Sequence, residues 1–453
     1  MNKHKLLAWG ALAGALTAGT AARADDGVQG IGAAGCQIVN PNPQPDESAT
    51  WTGGCRDGFA DGDGELDWIV EGKHASHYVG HVRAGRPDGR GVYDNLRNKL
   101  HYEGDYKAGM FDGVGALAQA DGTRLVGHFE KGFLEGEGEG FTHDGGHYRG
   151  QWHASHFEGQ GEAIDLLGSR YVGPFHDGRP DGAGTLEING TTIKGIWKAG
   201  LQSGPVVTDG PGRNHYEGDS QLLTPVGQGV RTYADGNVYR GTFVAGRREG
   251  QGTLTSEDGR LLYDGGWKND VFEGQGRVLC GDGGWFEGTL HQGRRDGPGK
   301  TTGPMGTMEG NFVGDLEDFR GVMVDKAGRR SEGHWIFGKP DGEQVLTGDG
   351  KVVHQTFRQG LLDGPWDGRA DGGDHMAANF VAGKLEGPVR IEFSDGRKLV
   401  GQYQGGLAEG AWVWTDRDGS LSRVEFRHGV PLNALSPLPK LDHLFPSGPG
   451  LSS

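Results

Sequence analysis

Tyr171-Val-Gly173-Pro-Phe175-His-Asp-Gly178-Arg-Pro-Asp-Gly182-Ala-Gly184 is the stretch that decides the fold. Tyr171, Gly173 and Phe175 alternate with polar or variable residues, so they share one face of a strand. Gly178 to Gly182, with Arg-Pro-Asp between them, is expected to turn the chain. A second short strand follows, with Gly184 and Leu186 on one parity. Asn189-Gly190 then closes the unit, because that dipeptide accepts the left-handed backbone of a two-residue hairpin turn. The stretch reads as one β-hairpin.

The same layout recurs at Tyr239, Gly241, Phe243, Gly246, Gly250 and Gly252, closing on Asp258-Gly259, and again at Tyr148, Gly150, Trp152, Gly159 and Gly161. About seventeen units of roughly 23 residues can be counted from Trp51 through Tyr78, Tyr102 and Leu125 to Ser422, their starts 22 to 24 residues apart after a wider first step. A lone hairpin is marginally stable, so stacked neighbours must supply the stability. The expected fold class is all-β: an elongated single-sheet array of antiparallel β-hairpin repeats, a solenoid or ribbon of about 34 strands and about 160 Å.

Glycine fills 90 of 453 positions without a three-residue period, which excludes collagen. The 11 Trp, 11 Tyr and 18 Phe spread through the same stretches exclude a disordered linker. Glycine inside a strand marks close approach by another group. The rings are therefore expected to lie flat over glycines of an adjacent strand. The repeat-face positions carrying this reading are Tyr102, Gly104, Tyr148, Gly150, Trp152, Tyr171, Gly173, Trp197, Tyr239, Gly241, Gly250, Gly252 and Trp267. The opposite face is polar, as in His101, Glu103 and Asp105.

The array is flanked by three other segments. Residues 1–24 read as a Sec-type signal peptide: Lys3 and Lys5, an apolar run from Leu6 to Leu16, and Ala22-Arg23-Ala24 before Asp25. That predicts an exported bacterial protein, periplasmic or secreted. Losing Lys3, Lys5 and Arg23 takes the net charge from −16 to −19. Such acidity excludes nucleic acid as a partner and gives direct membrane binding no electrostatic support. Residues 25–50 form a Pro-rich lead-in, 51–430 the repeats, and 431–453 a Pro-rich tail whose Leu441, Leu444 and Phe445 are expected to fold back over the last strand edge.

Signals for chemistry are weak. No Gly-x-Ser-x-Gly elbow occurs, and the Gly-x-Gly pairs recur with the repeat and never open a helix. His74 with His77 and His153 with His156 fall at strand edges and turns, where they read as solvated. A row of acids (Asp88, Asp112, Glu135, Asp181, Glu249, Glu273) precedes turn glycines; weak Ca²⁺ binding is the alternative to plain turn chemistry. No catalytic residues, metal or cofactor are assigned. An enzyme would need a domain outside the repeats, and residues 25–50 and 431–453 are too few for one.

The layout Tyr-x-Gly-x-Trp/Phe-x-x-Gly-x-x-x-Gly-x-Gly resembles the MORN repeat, from residue 51 to about 430. The resemblance implies an elongated hairpin array without catalytic residues of its own. It also implies roles in scaffolding, protein binding, dimerisation or membrane-associated assembly. Cys36-Gln-Ile-Val-Asn-Pro-Asn-Pro-Gln-Pro and Glu47-Ser-Ala-Thr-Trp51-Thr-Gly-Gly-Cys55 look like the opening segment of exported bacterial MORN proteins. The units at Met308, Ser331, Val353 and Met376 lack the leading Tyr, and Gln355 and Ala378 replace the first Gly. Those units are expected to pack more loosely or to bend the ribbon.

Of three cysteines, Cys36 and Cys55 are expected to pair in an oxidising compartment and Cys280 to stay free; three unpaired thiols are the alternative. The functional expectation is a non-catalytic scaffold that binds proteins or envelope components, with a homodimer as one arrangement. The competing reading is a glycan- or cell-wall-binding module using the repeated rings. Exposed rings favour the second and covered rings the first.

Overall fold

The computed structural model describes residues 27–31, 35–40 and 46–432. The segment 1–24 read as a signal peptide and the tail from 433 onward, with Leu441, Leu444 and Phe445, lie outside the described residues. Apart from one 3-10 turn at Pro211–Arg213, the described residues form strands and turns only. The chain divides into two compact units, one reaching Gly236 and the other starting at Asn237.

In both units the sheet is built of antiparallel hairpins, and each repeat start read from the sequence lies in the first strand of one. In the first unit Arg170–His176 pairs with Arg179–Pro180 and Gly182–Ile188, and the latter strand pairs with Thr191–Lys198. In the second, Val238–Val244 pairs with Arg247–Thr255, which pairs with Leu261–Lys268. The turn falls one step earlier than the sequence suggested. Asp177 and Gly178, at φ 48° and 75°, make the two-residue reversal. Arg179 and Pro180 already belong to the returning strand, and Asp181 with Gly182 interrupts its ladder. Asn189 and Gly190 reverse the chain as expected, at φ 50° and 73°.

The lead-in is more structured than a Pro-rich linker. Gly27–Ile31, Cys36–Asn40, Phe59–Ala60 and Cys55–Arg56 form a separate four-stranded sheet, with one parallel pair at Gln37 and Phe59. The array is therefore not the only sheet. Cys55 leaves the main ladder, where other units carry an aromatic, and bonds to Cys36 with Cα atoms 5.8 Å apart. Cys280 is a free thiol. Cys36, Ile38, Ala60 and Val82 are buried where this small sheet meets the first hairpins. The Val39 N–H donates to the Gly85 carbonyl at 3.0 Å, tying the two together.

The units lacking the leading Tyr behave in two ways. Met376 and Val353 are buried in a cluster with Trp366, Phe380, Ile391, Leu399 and Trp412, so here aliphatic side chains and second-strand indoles replace the tyrosines. Met308 and Ser331 stay half-buried, so only that part fits the expectation of looser packing.

Candidate functional site

The inner face of each unit is organised around a line of glycines. Gly80, Gly91, Gly104, Gly115, Gly127, Gly138, Gly150, Gly161 and Gly173 face one another strand after strand in the first unit. A second line runs from Gly241 through Gly252, Gly265, Gly276, Gly288, Gly299 and Gly310 to Gly321 and Gly333. The rings lie over these bare stretches. A Cβ added at Gly252 would come within 2.6 Å of three atoms of the Tyr239 ring. Tyr102, Tyr148 and Tyr171 cover Gly115, Gly161 and Gly184 in the same way. Trp152 lies back over Gly138 and Gly140 of the preceding strand, and Trp267 donates its indole N–H to the Gly252 carbonyl at 3.0 Å. Trp197 is buried opposite Gly182 and Gln202. Tyr102 stacks on Phe111 and Tyr148 on Phe157, with ring centroids 3.8 and 3.7 Å apart.

Gly250 has a different task from the one expected. A Cβ there would meet nothing closer than Thr242 Oγ1 at 3.6 Å, so no ring covers it. Its φ of 68° places it at a bulge, where the ladder skips from Gly241–Gly252 to Thr242–Glu249. The phenol explains why tyrosine leads the unit. Tyr239 Oη donates to the carbonyl of Thr242, at the register shift, at 3.1 Å. Tyr78, Tyr102, Tyr148, Tyr216 and Tyr263 each reach the carbonyl three residues on, at 2.6 to 3.0 Å. Burial, reinforced by nearby carboxylates, pushes the Tyr171, Tyr216 and Tyr263 phenols up to about 12 and raises Tyr78, Tyr102 and Tyr148 as well. The unit at Ser331 replaces both partners. Gln344 fills the place over Gly333, its amide donates to the His334 carbonyl at 3.0 Å, and Ser331 Oγ donates to Gln344 Oε1 at 3.2 Å.

Along the turns, the acids that precede the bulge glycines bind the next unit. Glu249 Oε2 accepts the N–H of Asn269 at 2.9 Å, and the Arg248 carbonyl accepts that of Asp270 at 3.1 Å. Both N–H groups of the next hairpin turn are thus satisfied by the unit before it. Asp88, Asp112, Glu135, Asp181 and Glu273 likewise accept from Ala108, Lys131, Ala154, Ala199 and Gln292. The other Glu135 and Glu273 oxygens face His153 and His291, at 3.2 and 3.0 Å. The acid row therefore has a structural role in the turns, and among the described residues no three His, Cys, Asp or Glu side chains are grouped to hold a metal. His74 and His77 both face Asp67. Neither the forward tie nor the phenol–carbonyl bond was foreseen from the sequence; the signal for the tie was the acid one residue before each bulge glycine.

The outer face carries cross-strand charge pairs, Arg90 with Glu103 at 3.2 Å, Arg170 with Glu162 at 2.6 Å and Lys300 with Glu309 at 2.9 Å, and a hydrogen-bonding contact of His101 with Asp94 at 2.7 Å. Among the described residues no helix is long and apolar enough to cross a membrane.

An array of ring-over-glycine hairpins, with carboxylates tying many of them to the next within each compact unit, is the class of protein this geometry defines. A family model of the MORN repeat matches residues 78–94, 102–124, 224–238, 239–259, 263–285 and 286–308, and the chain carries MORN repeats. The units at Tyr148 and Tyr171, outside those matches, have the same ring-over-glycine geometry. Alsin of Rattus norvegicus is 34% identical over 85 residues, a match covering 17% of this chain and 5% of Alsin. A streptogramin B lyase structure overlaps 53% of this chain and 81% of its own at 7% identity, with a TM-score of 0.12 that carries no argument.

Proposed function

We propose that the chain is an exported, non-catalytic scaffold that binds proteins or envelope components along repeated β surface. The observation that carries this reading is the burial of the rings. Tyr78, Tyr102, Tyr148, Tyr171, Tyr216, Tyr239 and Tyr263 are at most 4% exposed. Their faces are used inside the array, which favours the scaffold over the competing glycan reading. The outer face is solvent-facing, and charge pairs recur there strand after strand, offering many weak, equivalent contacts.

The test uses the chain without residues 1–24 as bait in periplasm and culture medium. A second bait has outer-face charges reversed at Glu103, Glu162 and Glu309, and purified cell wall is assayed in parallel. Specific partners lost from the reversed bait support the scaffold. Equal capture by both baits, or retention on cell wall abolished by ring substitutions, overturns it. Fractionation with N-terminal sequencing tests export: a periplasmic or secreted chain beginning at Asp25 is expected.

A further inference from the structure

Between strands Val271–Leu279 and Lys351–Arg358 the inner face opens. Residues in the row that Tyr239, Tyr263 and Phe286 fill elsewhere are here Thr301, Met308, Met323, Ser331 and Leu346, which face one another across the ladder and are all half-buried. No ring lies over Gly310, and Gly321 is met by Phe319 in place of a Tyr. The next row toward the inter-unit turns contains Gly284, Gly303, Gly306 and Gly348, which carry no side chain into the depression, although Arg329 packs against Gly348 and Asp282 approaches Gly303. The result is a trough of about 860 Å³, within the size range of small-molecule sites.

Its chemistry is amphipathic. The floor is aliphatic and thioether, and Met305, 85% exposed at a turn tip, adds a further flexible apolar side chain. The charges lining it are Arg295, Arg329, Arg330 and Lys351 against Asp282, Asp315, Asp325 and Asp349, which cancel, whereas the whole chain carries −16. Arg295 is bound by Asp315 at 3.1 Å, Arg329 by Asp325 at 2.7 Å and Arg330 by Glu332 at 2.6 Å. Lys351 is the lining cation without an ion pair among the described residues. It stands two residues before Val353, at one end of the floor. From its strand to that of Met308 is four strand spacings, about 19 Å, the reach of an extended palmitoyl chain.

We propose that the trough binds a free long-chain acyl carboxylate, its hydrocarbon along Leu346, Met323 and Met308 and its carboxylate at Lys351. Such a ligand supplies the apolar cover that tyrosine supplies elsewhere and pairs the one uncommitted cation. This site is independent of the scaffold's outer face.

The test titrates palmitate, below its micelle-forming concentration, into the chain without residues 1–24 by calorimetry. One site per chain is expected, with alkylation of Cys280, which lines the trough, slowed on binding. Met308→Tyr restores the missing ring and is expected to keep its hairpin protected from hydrogen exchange while weakening palmitate more than about tenfold. Lys351→Gln is expected to weaken palmitate by about tenfold and leave hexadecanol affinity unchanged. No binding to the unmodified chain, full affinity in M308Y, or equal losses of palmitate and hexadecanol in K351Q would overturn the proposal, as would binding only to phosphatidylglycerol vesicles.

Discussion

Replacing Gly252 with alanine isolates the contact on which each hairpin depends. The new Cβ would lie 2.4 to 2.6 Å from Oη, Cε2 and Cζ of Tyr239, so the ring must move by roughly 1 Å to reach ordinary contact. It has no free space to enter, being fully buried and stacked edge-on against Phe243 and Trp267. Overpacking of this kind costs about 1–3 kcal/mol. Displacing the phenol from the Thr242 carbonyl adds about 1 kcal/mol, for about 2–4 kcal/mol in all. Stability in an array is local, so the assay is hydrogen exchange across Val238–Val244, Arg247–Thr255 and Leu261–Lys268. The decisive comparison is a double-mutant cycle with Tyr239→Leu. With no phenol ring over the site, G252A should cost about 2 kcal/mol less than in the unmodified chain. An equal cost in both backgrounds would refute the ring-over-glycine account. Gly250→Ala supplies the contrast: its cost, about 1–2 kcal/mol, comes from the left-handed backbone and should be unchanged by Y239L.

Alkaline titration should unfold the array between its unfolded and folded phenol values. Tyr171, Tyr216 and Tyr263 ionise near 10 when unfolded and about 12 when folded, so their stabilisation is complete below pH 10 and lost as pH rises toward 12. Tyrosinate absorbance should therefore lag at pH 10–11 and rise together with loss of β-sheet circular dichroism; full ionisation near pH 10 with the sheet intact would contradict this. Cys55→Ser should cost the lead-in sheet about 3 kcal/mol, the chain-entropy value for a closed loop of this size, and exchange beyond Tyr102 should stay unchanged. Glu135→Ala removes the acceptor for the Ala154 N–H at 2.8 Å and should raise exchange there by an amount equivalent to about 1 kcal/mol, with no effect two units away.

The hairpin period, the all-β class and the pairing of Cys36 with Cys55 were legible because each leaves a mark in spacing: Tyr-x-Gly-x-Phe alternation, Asn189-Gly190, and cysteines flanking one short segment. Other features left weaker marks. The Gly178–Gly182 stretch contains two consecutive events, a turn and a bulge, and both demand glycine, so the sequence merged them. Gly250 and Gly252 look alike in sequence yet answer to different constraints, one to backbone torsion and one to a ring. The small sheet was hidden because its strands are two to five residues long and one pair is parallel, which produces no alternation to read. The trough was marked only by missing tyrosines at Met308 and Ser331. The same absence at Met376 is compensated by its neighbours, and only the structure distinguishes the two cases.

The carboxylates that precede the bulge glycines point one way along the chain: Glu249 completes the turn at Asn269, and Glu273 the turn at Gln292, while Asp270 and Asp315 reach back to the Arg248 and Arg295 N–H groups. Where such an acid occurs, the hairpin turn is received by a neighbour synthesised before it. A chain emerging from its N-terminus can fold vectorially, every new unit docking on a finished template, so the unpaired edge exposed at any moment is a single strand. The same polarity makes the unit interchangeable in whole copies. Excising one complete repeat leaves a donor turn opposite an acceptor carboxylate at the new junction, whereas excising half of one leaves both orphaned.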